Sequence, residues 1–460
     1  MNAIIIIFIG GVLALYFGLF NSRNLVQPTV LLTLVLALAA NILQWGNPPS
    51  ALEAVSSNMF LIDNFALGFS SLCIGATLLI ALLGNFAFKE QIDSIAEYYA
   101  LMLFSLCGAI CMCAYTNLIM LFLGIEILSI PIYVLAGSKR ESLASNEAAL
   151  KYFITGAFAS AILLFGTALI YGATGTFDIT KIVSSESKNA SLFFPGLLMI
   201  LSGLCFKISA APFHFWSPDV YQGSPSLITT FMATVVKTSA FAAFYKLFSY
   251  AFVAVYNDWA FILSIIAAFT MIIGNVTALF QVDFKRMMAY SSISHAGYLL
   301  LAILGMQSVS SGTGLLYLSA YSLATIGAFS IFIFLSNEQG GSESLSIFTG
   351  LKDRHPIMAA VMAICLLSLA GIPPTAGFFG KYFLFVQAFS DYKWLIIIAI
   401  ITSAISLYYY FKIIIFMYFH EDKETLPTQI PTFGYQLVMG ICALLVLLIC
   451  IFPDRIIGLL

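Results

Sequence analysis

Four charged side chains stand inside long apolar runs of this sequence: Glu126, Lys207, Lys237 and Lys381. A charge at the centre of a bilayer costs about 2.5–3.5 kcal/mol, and four cost on the order of 10 kcal/mol, comparable to a whole domain's stability. Residues kept against such a cost face a bundle interior or a water path, where they serve ions or protons. A structural salt bridge between Glu126 and one lysine is the plainer alternative, but it leaves two lysines unpaired. His295 is the one histidine near the centre of an apolar run; His214, His355 and His420 are not, so a haem held by two histidines between helices is not expected.

Prolines accompany these charges. Lys207 sits in SGLCFKISAAPFHFW, five residues before Pro212, and Lys381 follows the double proline of SLAGIPPTAGFFGKYFLF. Glu126 has Pro131 five residues on, in LGIEILSIPIYVL. Proline inside a helix removes a backbone hydrogen bond and clashes with the preceding turn. Each proline alone reads as an ordinary kink. Three beside buried charges suggest broken helices lining a cavity, because only there does lipid-depth backbone stay satisfied.

The elements that must hold these residues follow from composition. The chain has 460 residues, 61% hydrophobic and 9% charged, far below the roughly one quarter charged that a water-facing surface needs. Its apolar blocks run to about twenty residues, enough to cross a hydrocarbon core of about 30 Å. They lack period-2 alternation, which excludes a closed barrel and leaves helices. The fold class expected is therefore an all-α integral membrane protein of about fourteen transmembrane helices. The site residues fall in predicted helices at 117–136, 192–216, 225–248, 287–305 and 357–386. The opening run MNAIIIIFIGGVLALYFGLF lacks a cationic start and a small-residue cleavage site, and reads as a retained first helix. No segment is long enough for a soluble domain, so residues 1–460 form one polytopic unit.

Eight scattered cysteines, without CxxC pairs, suggest neither disulfides nor iron–sulfur ligation. A net charge of −2 and the absence of a basic patch give no reason to expect nucleic acid. Loop cations are lopsided. Arg23, Lys89, Lys139, Arg140, Lys151, Lys285, Arg286, Lys352, Arg354 and Lys423 lie on one side; Lys181, Lys188, Lys393 and Arg455 lie on the other. The richer side is expected to face the cytoplasm, which puts both termini of a fourteen-helix chain in the periplasm. Lys246 and Lys412 lie near predicted helix ends and are expected to snorkel to the interface.

An internal repeat is visible. Glu126 precedes Lys207 by 81 residues and His295 precedes Lys381 by 86, each across three helices of which the last is interrupted. Two five-helix repeats, helices 4–8 and 9–13 with interrupted helices 7 and 12, account for this. An odd number of helices per repeat makes the copies inverted. The divisions expected are 1–96 for the first three helices, 97–250 and 251–420 for the repeats, and 421–460 for the last helix.

The motifs LGIEILSIPIYVL, FKISAAPFHFWSPDVYQGSP, the TxxK of ATVVKTSAF, DFKRMMAYSSISHAGY and GIPPTAGFFGKYFLF stand in an order and spacing that covers nearly the whole chain. In these the sequence resembles the antiporter-like subunits of proton-pumping NADH:quinone oxidoreductase (respiratory complex I), its N-type branch most closely. The M-type branch usually carries glutamate where Lys381 stands, and the L-type continues into a long amphipathic helix, whereas this sequence stops at CIFPDRIIGLL. The resemblance implies that Glu126 and Lys207 form a coupled pair, that Lys237 is the central relay, that His295 lies between centre and exit, and that Lys381 is the exit group. It implies that FMN, iron–sulfur clusters and quinone belong to partner subunits and that this chain carries no cofactor. An M-type subunit and small membrane subunits would be its neighbours in a bacterial inner membrane. A subunit of an Mrp-type cation/proton antiporter, which shares these motifs, is the alternative; a scaffold that only holds neighbouring subunits is a third reading. Near neutral pH a relay lysine must release a proton that a lysine in water holds to about pH 10.4. Burial among apolar groups promotes release, and an adjacent carboxylate opposes it.

Overall fold

The computed structural model describes residues 2–20, 22–46, 58–87, 94–183, 189–306, 310–421 and 431–460. Lys89, Lys188, Lys423 and the side chain of Arg23, on which part of the orientation expectation leans, lie outside the described residues. The first three crossings are α1 (Asn2–Leu19), α2 (Arg23–Gln44) and α3 (Asn64–Ala87). The next five are α4 (Ile95–Ala114), α5 (Leu118–Ala136), α6 (Leu143–Thr174), α7a (Ala190–Lys207) with α7b (Trp216–Gly223), and α8 (Ser226–Tyr250). Then come α9 (Tyr256–Leu279), α10 (Phe284–Leu304), α11 (Ser311–Glu338), α12a (Pro356–Ala370) with α12b (Ala376–Ala388), α13 (Lys393–Phe419) and α14 (Phe433–Ile451). Thirteen helices among the described residues are long and apolar enough to cross a membrane, and the α12 halves make a fourteenth crossing.

Burial sorts these helices into layers. Nearly every residue of α8, α10 and α11 is buried, whereas most of α1, α2 and α14 is not. That leaves the outer helices to lipid and the central three to polar side chains that lipid cannot solvate. Small residues let helices approach closely: a Cβ added at Gly108 of α4 would stand 2.3 Å from the Leu128 amide nitrogen of α5. One at Gly274 of α9 would stand 2.6 Å from the Ser294 amide nitrogen of α10.

These two contacts belong to one repeated pattern. Isolated bridges pair Asn117 with Asp178 and Asp283 with Ser344, each tying the segment after an α6 or α11 helix to the start of α5 or α10. Bridges and glycine contacts alike are displaced by 166 residues. The inverted five-helix repeats, α4–α8 and α9–α13, therefore stand in a definite register. That register corrects the spacing argument: Glu126 corresponds to Ser292 and His295 to Ser129, not Glu126 to His295.

Lys246 and Lys412 also differ by 166, and neither behaves as expected from snorkelling alone. Lys246 is 1% exposed; its ammonium lies 3.5 Å from the Cys113 carbonyl at the end of α4, between the rings of Phe65 and Tyr115. Lys412 lies 3.5 Å from the Gln281 carbonyl just past α9. Each neutralises the negative end of a helix from which unpaired carbonyls project. Outside the membrane, Asp178 caps the short helix Ile179–Ile182. Burial raises its carboxyl pKa, but the hydroxyl and amide of Thr180 and the Lys181 ammonium outweigh this and hold it below the ordinary value.

Candidate functional site

Helix breaks place two of the lysines. α7a ends at Lys207, and Ser209 then takes φ 60°, a left-handed conformation that a helix cannot continue through. The break is sealed by Trp216, whose Nε1–H donates to the Phe206 carbonyl at 3.2 Å while its ring stacks on Tyr152 at 4.5 Å. α12a ends at Ala370 before Gly371, φ 81°, and Lys381 rises from α12b into the gap. Its stem passes so near that a Cβ at Gly371 would stand 2.8 Å from Lys381 Cδ. Pro131, by contrast, is accommodated inside an unbroken α5, so only two of the three prolines mark interrupted helices.

Lys207, Lys237, His295 and Lys381 are all at most 6% exposed, and each has a polar partner. Lys207 donates to Ser129 Oγ at 2.8 Å and lies 5.9 Å from the centre of the Tyr133 ring. Glu126 is one turn before Ser129 on α5, and its Oε1 is buried without a hydrogen-bond partner. The expected carboxylate–lysine pair is thus separated here, with the Ser129 hydroxyl on the lysine. Lys237 follows a single π turn, Met232–Val236, that displaces the next residues of α8 around the helix. Its ammonium donates to the carbonyl and hydroxyl of Ser292, and Tyr321 donates to the same hydroxyl at 2.9 Å.

His295 lies one turn beyond Ser292 on α10. Its Nδ1 is 2.7 Å from the Tyr317 hydroxyl and its Nε2 3.1 Å from that of Tyr410, which also meets Ser291. Lys381 donates to the Ala370 carbonyl, which the break leaves without its helical partner, and to Ser403 Oγ, both at 2.9 Å. Tyr298 covers it, ring centre 5.1 Å away, and accepts from Asn275 at 3.0 Å; Tyr409 donates to Asn275 at 3.1 Å and packs on Tyr410 at 4.4 Å. Hydroxyls and imidazole therefore extend from Lys237 through α10 and α13 to Lys381. A cavity of about 520 Å³ opens beside Lys381 and Ser403 between α12b and α13. Groups of this kind can accept one proton and release another, which a purely apolar seam cannot do.

Several of these partners escaped the sequence reading. Ser291, Ser292 and Tyr298 stand at i−4, i−3 and i+3 from His295, one helical face, so the motif SSISHAGY contained that signal. Tyr317, Tyr321, Ser403 and Tyr410 come from α11 and α13, and only the fold brings them in. Among the described residues no cluster of three or more His, Cys, Asp or Glu could hold a metal ion.

Two inverted five-helix repeats, one interrupted helix in each and a buried polar thread between them define an antiporter-like membrane protein. Residues 115–406 match the family described as "NADH:quinone oxidoreductase/Mrp antiporter, TM", and the chain belongs to that family. A relative from Flavobacterium psychrophilum, named NADH-quinone oxidoreductase subunit N, is 40% identical over 100% of both chains. A chain of respiratory complex I from Thermus thermophilus, solved with bound aureothin, superposes with a TM-score of 0.84 at 32% identity, covering 99% of this chain and 98% of that one. A chain of the Mrp complex from a Dietzia species shares the fold, with a TM-score of 0.81 at 20% identity over 99% of this chain and 95% of its own.

Proposed function

We propose that this chain is a proton-translocating, non-redox subunit in the membrane arm of a bacterial NADH:quinone oxidoreductase. Quinone reduction elsewhere in the complex drives proton transfer along its buried lysines. The observation that carries the reading is the series of buried hydroxyls and an imidazole lying between Lys237 and Lys381. Glu126 sets the charge of Lys207: paired, the lysine keeps its proton; separated, as here where Lys207 donates to Ser129 instead, it can release it toward Lys237. Lys237 passes the proton to the Ser292 hydroxyl, His295 and its tyrosines carry it on, and Lys381 hands it outward beside the cavity between α12b and α13. No hydrogen bond joins Lys207 to Lys237, Ser292 to His295, or the tyrosines of His295 to Lys381 directly, and water is the carrier proposed for those steps.

FMN, iron–sulfur clusters and quinone are assigned to partner subunits, with an M-type antiporter-like subunit and small membrane subunits as neighbours. The cation-rich end faces the cytoplasm and both termini face the periplasm. In support, Lys139 of the α5–α6 connection, Lys151 of α6, and Lys285 and Arg286 at the start of α10 gather around one cavity at that end. An Mrp-type antiporter is the second reading, favoured by the shared fold and family. Co-purification of FMN and iron–sulfur clusters with the chain supports the first reading, and a complex lacking both supports the second. In the assembled complex, Lys237→Ala is expected to abolish most proton pumping, measured as acidification of vesicles during quinone reduction. Normal pumping with this variant would end the central-relay assignment.

A further inference from the structure

Asn275 of α9 is fully buried and belongs to none of the groups assigned to the relay. Its amide meets three partners. Nδ2 lies 2.8 Å from the Met271 carbonyl one turn back and 3.0 Å from the Tyr298 hydroxyl of α10, and Oδ1 lies 3.1 Å from the Tyr409 hydroxyl of α13. The Met271 carbonyl can only accept, so the amide nitrogen must face it, and the orientation of the amide is fixed. The hydrogens around it are then fixed as well. Tyr298 accepts from Asn275 and gives its own hydrogen to Thr402 Oγ1 at 3.3 Å, while Thr402 donates onward to the Ile398 carbonyl at 2.8 Å. Tyr409 must donate to Oδ1, which carries no hydrogen. A hydroxyl has one hydrogen, so neither tyrosine has another to give to His295 or Lys381.

These two tyrosines wall the second half of the relay. The Tyr298 ring lies 5.1 Å from the Lys381 ammonium and 5.9 Å from the His295 ring. The Tyr409 ring packs 4.4 Å from Tyr410, which meets His295 Nε2. One amide therefore fixes both rings. The repeat register shows that this is not simply how three such helices pack. Counting back 166 residues, Asn275, Tyr298 and Tyr409 correspond to Ala109, Ile132 and Ala243, so the first repeat packs the same three positions with apolar side chains.

We infer that Asn275 is a positioning residue for the exit lysine: braced by Met271 and Tyr409, it holds the Tyr298 ring against Lys381. The inference rests on the proposed exit role of Lys381. Among the described residues Lys381 has no ion pair. Its ammonium is held by the Ala370 carbonyl, the Ser403 hydroxyl and the Tyr298 ring, with the charge of a protonated His295 acting against it. A desolvated ammonium is attracted to an aromatic face, so the place of the ring bears on the pH at which the lysine gives up its proton. Asparagine is the side chain this geometry needs. An ionised aspartate has no hydrogen for Met271 or Tyr298, and leucine has no oxygen for Tyr409.

The test is vesicle acidification measured against pH, at matched assembled complex and with quinone-reductase turnover recorded. Asn275→Ala frees the Tyr298 ring and makes the Lys381 ammonium harder to hold, so the alkaline limb of the pumping profile is expected to move down by about one pH unit. Tyr298→Leu takes the ring away and is expected to move the limb the same way, and the double variant no further than Tyr298→Leu alone. An asparagine that only packs helices lowers assembly or melting temperature and leaves the profile of the assembled complex in place. That result, or shifts that add, overturns the positioning role. Lys381→Met measured alongside separates the inference from the reading beneath it. Wild-type pumping by Lys381→Met overturns the exit relay, whereas blocked Lys381→Met with an unmoved Asn275→Ala profile overturns the inference alone. Should Asn275→Ala fail to assemble, Tyr298→Phe decides, because it keeps the ring and removes the oxygen that Asn275 holds. A downward shift is expected from it too, and an unmoved profile overturns the inference.

Discussion

Ser292 offers the sharpest test of the relay, because Lys237 has both of its hydrogen bonds to this one residue. Ser292→Ala removes the hydroxyl and leaves the carbonyl, so the ammonium loses one of two acceptors and Tyr321 loses its own. A hydrogen bond to a charged group contributes about 1.5–3 kcal/mol, and at about 1.4 kcal/mol per factor of ten this slows transfer through Lys237 by roughly tenfold to a hundredfold. Ser292→Thr keeps the hydroxyl, and its extra methyl in a fully buried site costs about 1–3 kcal/mol in packing. The two variants therefore separate chemistry from stability: alanine should assemble well and pump poorly, whereas threonine should assemble less well and pump well per complex. Acidification and quinone-reductase turnover in reconstituted vesicles, normalised to assembled complex, read both effects. Wild-type pumping by Ser292→Ala would show that the proton leaves Lys237 by another way, and the thread through α10 would lose its first link.

Other predictions address the ends of the thread. Glu126→Gln and Lys207→Met should be non-additive in pumping even though Lys207 donates to Ser129 here, and Ser129→Ala should shrink that coupling; simple additivity would show that the two residues are not an energetic pair. Lys381→Arg, a charge that holds its proton above pH 12, should block pumping more severely than Lys381→Glu, which still titrates; arginine pumping at the wild-type rate would make Lys381 a fixed charge. Asp178→Ala should lower thermal stability in detergent by about 1 kcal/mol at neutral pH, as loss of a helix cap does. Because the folded carboxyl is held below its unfolded value, that contribution is present above the unfolded value near pH 3.9 and fades as pH falls through the folded one. Melting curves that show an equal loss at every pH would contradict the capping account.

Much of this arrangement was legible in the sequence because lipid makes charge conspicuous. Lys207, Lys237 and Lys381 stand out against apolar blocks, and the prolines near two of them mark the breaks, since interrupted backbone is rare at membrane depth. The same reasoning misled at Pro131, where α5 continues, and at Lys246, where distance from a helix end says nothing about which face the side chain occupies. The hydroxyl partners were illegible for a different reason. Serine and tyrosine inside a transmembrane helix cost far less than a charge, so nothing in composition separates Ser292 or Tyr410 from the other small and aromatic residues around them. The π turn before Lys237 leaves no mark in MATVV, because a one-residue bulge depends on neighbouring helices rather than on local preference.

The repeat register explains why the two halves cannot do the same work. A displacement of 166 residues puts Ser292 where the first repeat has Glu126, and Ser129 where the second has His295. The first repeat therefore carries a carboxylate, which the proposed relay uses to hold or free a lysine; the second carries hydroxyls and an imidazole, which in the same relay conduct without fixing a charge. The breaks diverge as well. Lys207 ends the first half of its interrupted helix, whereas Lys381 belongs to the second half of its own and is anchored by the carbonyl at the end of the first. Inversion turns such a difference into direction, because equivalent positions face opposite sides of the membrane. Had both repeats kept a carboxylate beside their lysine, each would hold its proton equally well from either side. In the proposed relay, a carboxylate only at the first grips the proton near one lysine and lets it pass freely toward the other, so exchanging Glu126 and Ser292 should impair pumping more than either single change.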